Sequence, residues 1–174
     1  DLVRSLISYT LSLNLENLIL EGTGSLIGVG NVHANTIVGN GASNVINARE
    51  GADRMFGGGG NDTYVVDNAG DLVGEAAGLG VDTVLTGVSR NLDANVEKMT
   101  LLGTANLNAG GNSLSNVIIG NSGSNTRLDV NGQVEILATS TNNARADAKG
   151  VSGGGVTVTA LISDAAVDGS TRAF

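Results

Sequence analysis

Three aspartates, Asp53, Asp62 and Asp71, recur at steps of nine residues, and glycines crowd the chain ahead of Asp62. Residues 57–62 read Gly-Gly-Gly-Gly-Asn-Asp. Glycine accepts the positive backbone φ of tight turns, so such a hexapeptide can turn sharply enough for main-chain carbonyls to converge. An aspartate closing the turn adds a carboxylate oxygen. A hard divalent cation binds oxygens of these two kinds, and calcium takes about six to eight of them. The candidate ligands are therefore Asp53, Asp62 and Asp71, together with the turn residues Gly51, Gly57, Gly58 and Gly60. Four consecutive glycines could instead be a flexible linker, but their register within a longer repeat argues against it.

Other chemistries find little support. The chain has one histidine, His33, and no cysteine, which leaves no ligand set for zinc and no base to mark a nucleophilic triad. Glu16 and Glu97 occupy equivalent repeat positions, which points to structure and not to acid–base catalysis. The sequon Asn61-Asp62-Thr63 lies inside the turn and is read as coincidence. We therefore expect no enzyme activity from this chain itself. Its net charge of −8 repels phosphate backbones, so calcium and basic surfaces are better partners than nucleic acid. No apolar run is long enough to span a bilayer, and no signal peptide is apparent. The first residue is Asp1 and the chain opens inside a repeat, so a piece of something longer is expected.

The elements that must hold these turns follow from the repeat itself. From Gly30, blocks of nine put Asn35, Asn44, Asp53, Asp62 and Asp71 in one polar column. Ile37, Ile46, Met55, Tyr64 and Val73 fill an apolar column two places on. Short apolar runs between Gly and Asn turns, with 27 glycines and no proline, predict many short strands. A second repeat lies on the first: residues 1–45 recur at 82–126, an offset of 81 (Ser8 to Ser89, Leu11 to Leu92, Glu16 to Glu97). The fold class expected is all-β, with residues 1–126 as one stacked object. Residues 127–174 form a second β-rich segment: 134–137 and 156–159 read as strands, 153–155 as a turn, and 143–149 as either a strand or a short helix.

Residues 57–65, GGGGNDTYV, resemble the calcium-binding nonapeptide G-G-x-G-x-D-x-U-x of the RTX proteins, in which U is a large apolar residue. Residues 11–23 and 92–104 share the pattern L-x-x-N-x-E-x-x-x-L-x-G-T with such arrays. The resemblance implies a parallel β-roll, or β-solenoid, of stacked nonapeptide turns with two blocks to each coil. Asp53 would then neighbour Asp71, and Asp62 would neighbour Asn44. Stacked carboxylates roughly 5 Å apart repel by about 3 kcal/mol at an effective dielectric near 20. Calcium would remove that penalty, so folding should depend on it. Only residues 57–62 complete the turn: block 48–53 has Ala48 and Arg49 where glycines belong, block 66–71 has Ala69, and residues 80–84 carry a half-motif two residues out of phase. Where Asn replaces Asp, a ladder of stacked asparagine side chains is expected to hold the rungs.

The same resemblance implies a secreted or cell-surface bacterial protein exported by type I secretion. Residues 134–174 resemble repeats of giant filamentous adhesins. Three functions stay open on this reading: a calcium-stiffened structural or adhesive rod, a secretion and folding module of an enzyme whose catalytic domain lies elsewhere, and a building block of a filament or surface layer. Other solenoid chains or cell-surface components would be partners in the first and last of these.

Overall fold

The computed structural model describes residues 1–121 with their side chains, and beyond them the backbone of strands at 127–131, 134–138, 145–149 and 157–159. Every regular element described is a strand. The first nine are β1 (Leu2–Ser5), β2 (Tyr9–Thr10), β3 (Asn17–Leu20), β4 (Ile27–Val29), β5 (Thr36–Val38), β6 (Val45–Asn47), β7 (Arg54–Phe56), β8 (Thr63–Val66) and β9 (Leu72–Gly74). The rest are β10 (Thr83–Thr86), β11 (Arg90–Asn91), β12 (Lys98–Leu101), β13 (Asn108–Gly110), β14 (Asn116–Gly120), β15 (Arg127–Asn131), β16 (Val134–Ala138), β17 (Arg145–Lys149) and β18 (Thr157–Thr159).

Alternate strands pair, always in parallel, so the chain winds as a β-solenoid with one strand on each side per coil. The even strands β2 to β18 form one continuous nine-stranded sheet. The odd strands do not. They form a five-stranded sheet, β1 to β9, and a four-stranded sheet, β11 to β17, with no pairing between β9 and β11. The strands beyond residue 126 join this winding: β15 pairs with β13 and β16 with β14. Residues 145–149 are strand, while the turn expected at 153–155 lies outside the described residues.

Short strands suffice because alternate side chains point inward: three-residue strands such as β5 and β7 bury one at the middle, and the four-residue strands β3, β8, β10 and β12 bury two. Leu18, Ile37, Met55 and Val73 stack on one side, in register. Ile46, Tyr64, Val84, Met99 and Ile118 stack on the other. All but Val73, at 5% exposure, are completely buried. Full burial of one such side chain is worth about 1.5–3 kcal/mol, so aliphatic columns replace the aromatic core that this composition lacks.

Coil length varies, and the variation positions the site. Between Asn35 and Asp71 successive coils take 18 residues, two nonapeptides. The coil from Asp62 to Asp82 takes 20, and the next, from Asp82 to Glu97, takes 15. The 81-residue repeat therefore places its copies on opposite sides: β1 lies in the five-stranded sheet, and its copy β10 lies in the nine-stranded one.

Candidate metal centre

Two consecutive turns, residues 48–53 and 57–62, share a backbone path. Their second and fourth residues have positive φ: Arg49 at 65° and Gly51 at 139°, then Gly58 at 98° and Gly60 at 95°. The glycines of the motif are thus explained by conformation as well as by space, since a Cβ on Gly58 would meet the carbonyl oxygen of Asn40. Arg49 holds the same left-handed geometry without being glycine, at a cost of about 1–2 kcal/mol.

The aspartates form two axial columns, one on each side. On the first, Asn35 donates its main-chain N–H to Asp53 Oδ1 at 2.7 Å, and Asp53 donates its own to Asp71 Oδ1 at 3.0 Å. On the second, Asn44 donates to Asp62 Oδ1 at 2.6 Å and Asp62 to Asp82 Oδ1 at 2.8 Å. Asp82 in turn donates to Glu97 Oε2 at 2.8 Å. The neighbours expected from two blocks per coil, Asp53 with Asp71 and Asp62 with Asn44, are in contact. Each carboxylate spends one oxygen on the coil before it. The other oxygens of Asp53 and Asp62 are buried and have no hydrogen-bond partner.

A buried carboxylate oxygen without a donor strongly disfavours the ionised form. Burial, with Asp71 and Asp67 nearby, pushes the Asp53 carboxyl up to about 6. Burial and Asp82 raise Asp62, while burial and Glu97 raise Asp82. These columns fit a cation: free anionic oxygens with no donor, at the ends of turns whose backbone turns left-handed. Gly57 lies at the inner corner of the complete turn, where a Cβ would fall on Asp62 Oδ2 and the Tyr64 hydroxyl.

Two acidic residues outside the set expected from sequence stand beside these carboxylates. Asp82 belongs to the half-motif that is two residues out of phase, but the 20-residue coil absorbs those two residues and stacks it on Asp62. Glu75 belongs to no nonapeptide aspartate column. It follows β9 directly, accepts a hydrogen bond from the Tyr64 hydroxyl, and is pushed up to about 7 by burial, with Asp82 and Asp62 adding to the shift. Its proximity depends on how the chain packs across the coil, so spacing carried no signal for it.

The asparagine ladder requires a correction. Where Asn stands in the aspartate column, Asn35 Nδ2 donates to the Leu15 carbonyl of the adjacent coil at 3.2 Å, and Asn44 Nδ2 is buried without a partner, so neither forms the expected side-chain ladder. Asparagines at another point of the turn also reach main chain of the adjacent coil. Asn31 Nδ2 donates to the carbonyls of Ser12 and Leu15, both at 2.7 Å. Asn112 Nδ2 does the same to Asp93 and Val96 at 2.6 and 2.7 Å, and Asn121 Nδ2 to Leu102 and Ala105 at 3.1 and 2.9 Å. Asn31 Oδ1 also accepts the N–H of His33, and Asn112 Oδ1 that of Leu114. Asn31, Asn40 and Asn112 all stand at the position that Gly58 holds in the complete turn. Their amide groups draw pairs of carbonyls together by donating protons where a cation would do so by charge.

Parallel coils of two nonapeptides, left-handed Gly turns and stacked buried carboxylates define a calcium-binding β-solenoid. Residues 29–64 match the family model for the RTX calcium-binding nonapeptide repeat in four copies, and this stretch is an RTX repeat region. Calcium is the ion that repeats of this family bind. Over 72 residues the chain is 43% identical to the endo-1,3-1,4-beta-glycanase ExsH of Rhizobium meliloti (strain 1021). That match covers 41% of this chain and 15% of the glycanase. No solved structure matches the chain significantly.

Proposed function

We propose that the chain is a calcium-dependent structural module, a stiff β-solenoid segment of a larger secreted or cell-surface bacterial protein, and not an enzyme in itself. The observation that carries this reading is the pair of buried carboxylate oxygens on Asp53 and Asp62 that lack any donor. Folding without a cation must bury these groups either charged and unpaired or protonated. Calcium supplies the missing charge, so the folded rod is favoured where calcium is abundant and disfavoured where it is scarce. The chain's own residues contribute oxygens, hold them in register through the axial N–H contacts, and exclude water through the aliphatic columns.

The likeness to part of a glycanase favours one arrangement in particular, in which such a rod accompanies a carbohydrate-active domain elsewhere in the parent chain. An adhesive rod remains the alternative, and the parent sequence separates the two. The test of the common element is circular dichroism of the chain in chelator and in millimolar calcium, a concentration range suited to extracellular modules of affinity about 10⁻⁴–10⁻³ M. A cooperative gain of β signal and melting temperature on adding calcium is expected. Identical melting in both solutions would overturn the calcium reading and leave only the solenoid.

A further inference from the structure

Glu75 stands at a singular place in the winding. Gly74 pairs with Phe56, so Glu75 follows β9 as Gly57 follows β7, one coil further along the same corner. At Gly57 that corner has no room for a side chain, because Asp62 Oδ2 and the Tyr64 hydroxyl fill the space. At Glu75 a side chain enters it. The carboxylates of Asp62, Glu75 and Asp82 each bring an oxygen within 4.8 Å of the other two. Oxygens bound to one calcium at about 2.3–2.6 Å can lie no further apart than about twice that distance, so the spacing admits a single shared ion. No other group of three or more acidic, His or Cys ligands is brought this close among the described residues.

Acidic clusters alone do not make a site, but here one member is aimed and unpaired. Asp62 is 1% exposed, and its Oδ2 has no hydrogen-bond partner. The Tyr64 hydroxyl, by donating to Glu75, fixes the third carboxylate against the same corner. The main chain of Glu75 is anchored as well: Asn95, in the connection between β11 and β12, donates its side-chain amide to the Glu75 carbonyl at 2.8 Å.

We infer that Asp62, Glu75 and Asp82 together form an interior divalent-cation site, with Glu75 a ligand from outside the nonapeptide motif, and that this site joins the two sides of the solenoid where the odd-strand sheet is broken. Asp62 and Asp82 immediately precede β8 and β10 of the nine-stranded sheet, whereas Glu75 leaves β9, the last strand of the five-stranded one. Beyond β9 the odd side loses its strand pairing until β11 begins the next sheet. A cation shared by the three carboxylates replaces, across the core, part of the cohesion that the missing β9–β11 ladder would give. The inference rests on the calcium reading above but names a ligand and a role that the repeat alone does not.

The test compares the wild-type chain with Glu75→Gln and with Asp53→Asn, measuring calcium stoichiometry by titration calorimetry and melting in chelator and in calcium. Glu75→Gln keeps the shape and an acceptor for Tyr64 while removing one buried charge. It should bind one calcium fewer, gain less melting temperature from calcium, and melt no lower than wild type in chelator. Asp53→Asn should spare this ion. A wild type that responds to calcium beside an E75Q variant with the same stoichiometry and the same gain overturns the inference alone. A wild type that ignores calcium overturns the parent reading and this site with it. Terbium luminescence gives a readout independent of folding defects in E75Q, because Tyr64 is one of only two tyrosines and touches Glu75. Tyrosine-sensitised terbium emission should appear in the wild type, be displaced by calcium and disappear in Tyr64→Phe. Emission that persists undiminished in Tyr64→Phe places the ion elsewhere and overturns the inference.

Discussion

Asp82 accepts the main-chain N–H of Asp62 through Oδ1 at 2.8 Å, across a coil of 20 residues. The contact has the same form as those from Asn35 to Asp53 and from Asn44 to Asp62, which span 18 residues. Two extra residues therefore leave the ladder intact: the turn bulges and the rung is kept. The rung sets the register more strongly than the repeat length does, because a buried N–H without an acceptor costs about as much as a lost hydrogen bond.

Asp53→Asn separates charge from shape. The amide oxygen can still accept the Asn35 N–H, while the buried negative charge is gone. In chelator the variant should be more stable than wild type, by on the order of 1–3 kcal/mol. In millimolar calcium the order should reverse. Chemical denaturation of both proteins under both conditions checks the crossing, and parallel losses in both would sink it.

Stability without calcium should fall as pH rises. Asp53 is raised to about 6 and Glu75 to about 7, so between the ordinary carboxylate range and these values the folded state holds protons that the unfolded chain has released. The stabilisation is complete at pH values below the unfolded pKa and is lost as pH climbs through about 6 to 7. In chelator, melting temperature at pH 5 should exceed that at pH 7.5. With calcium the dependence should flatten or invert, because protons then compete with the ion. Melts across pH 4.5–8 in the two solutions give the answer.

Asn31→Ala should behave quite differently. It removes two donations to carbonyls of the adjacent coil and the acceptor for the His33 N–H, at a residue 2% exposed. A loss of about 2–4 kcal/mol is expected from bonds of this kind. Calcium should not restore it, since this turn is held by amide protons. A loss that vanished on adding calcium would mean the asparagine is not a substitute for the ion.

Arg49→Gly should strengthen the 48–53 turn. Arg49 has φ of 65°, where only glycine is free of a steric penalty. Relief of about 1 kcal/mol is expected, together with tighter calcium binding, as the turn regains a glycine of the complete motif. Gly58→Ala, with φ of 98° and the Asn40 carbonyl against the new methyl, should lose at least as much. Calorimetric titration of both variants reads the two signs.

The inward column was legible because nine-residue periodicity places one polar and one apolar residue at fixed points of every block, while the parallel winding and the pairing of Asp53 with Asp71 followed from the resemblance to RTX repeats, with two blocks to each coil. Asp82 was half legible: its motif was visible, but its apparent loss of phase hid the stacking that a longer coil restores. Glu75 was not legible, because its nearness to Asp62 is a packing result across the corner and not a spacing. The asparagines misled in a specific way. Asn35 and Asn44 do share the aspartate column, yet the Asn35 amide turns to the Leu15 carbonyl of the neighbouring coil and the Asn44 amide has no partner.

The 81-residue repeat ends after four and a half coils, so its second copy begins half a turn round from the first. A tandem series of such units would be a two-flanked strut. Whatever one unit shows to its left, the next shows to its right, and only every second unit faces the same way.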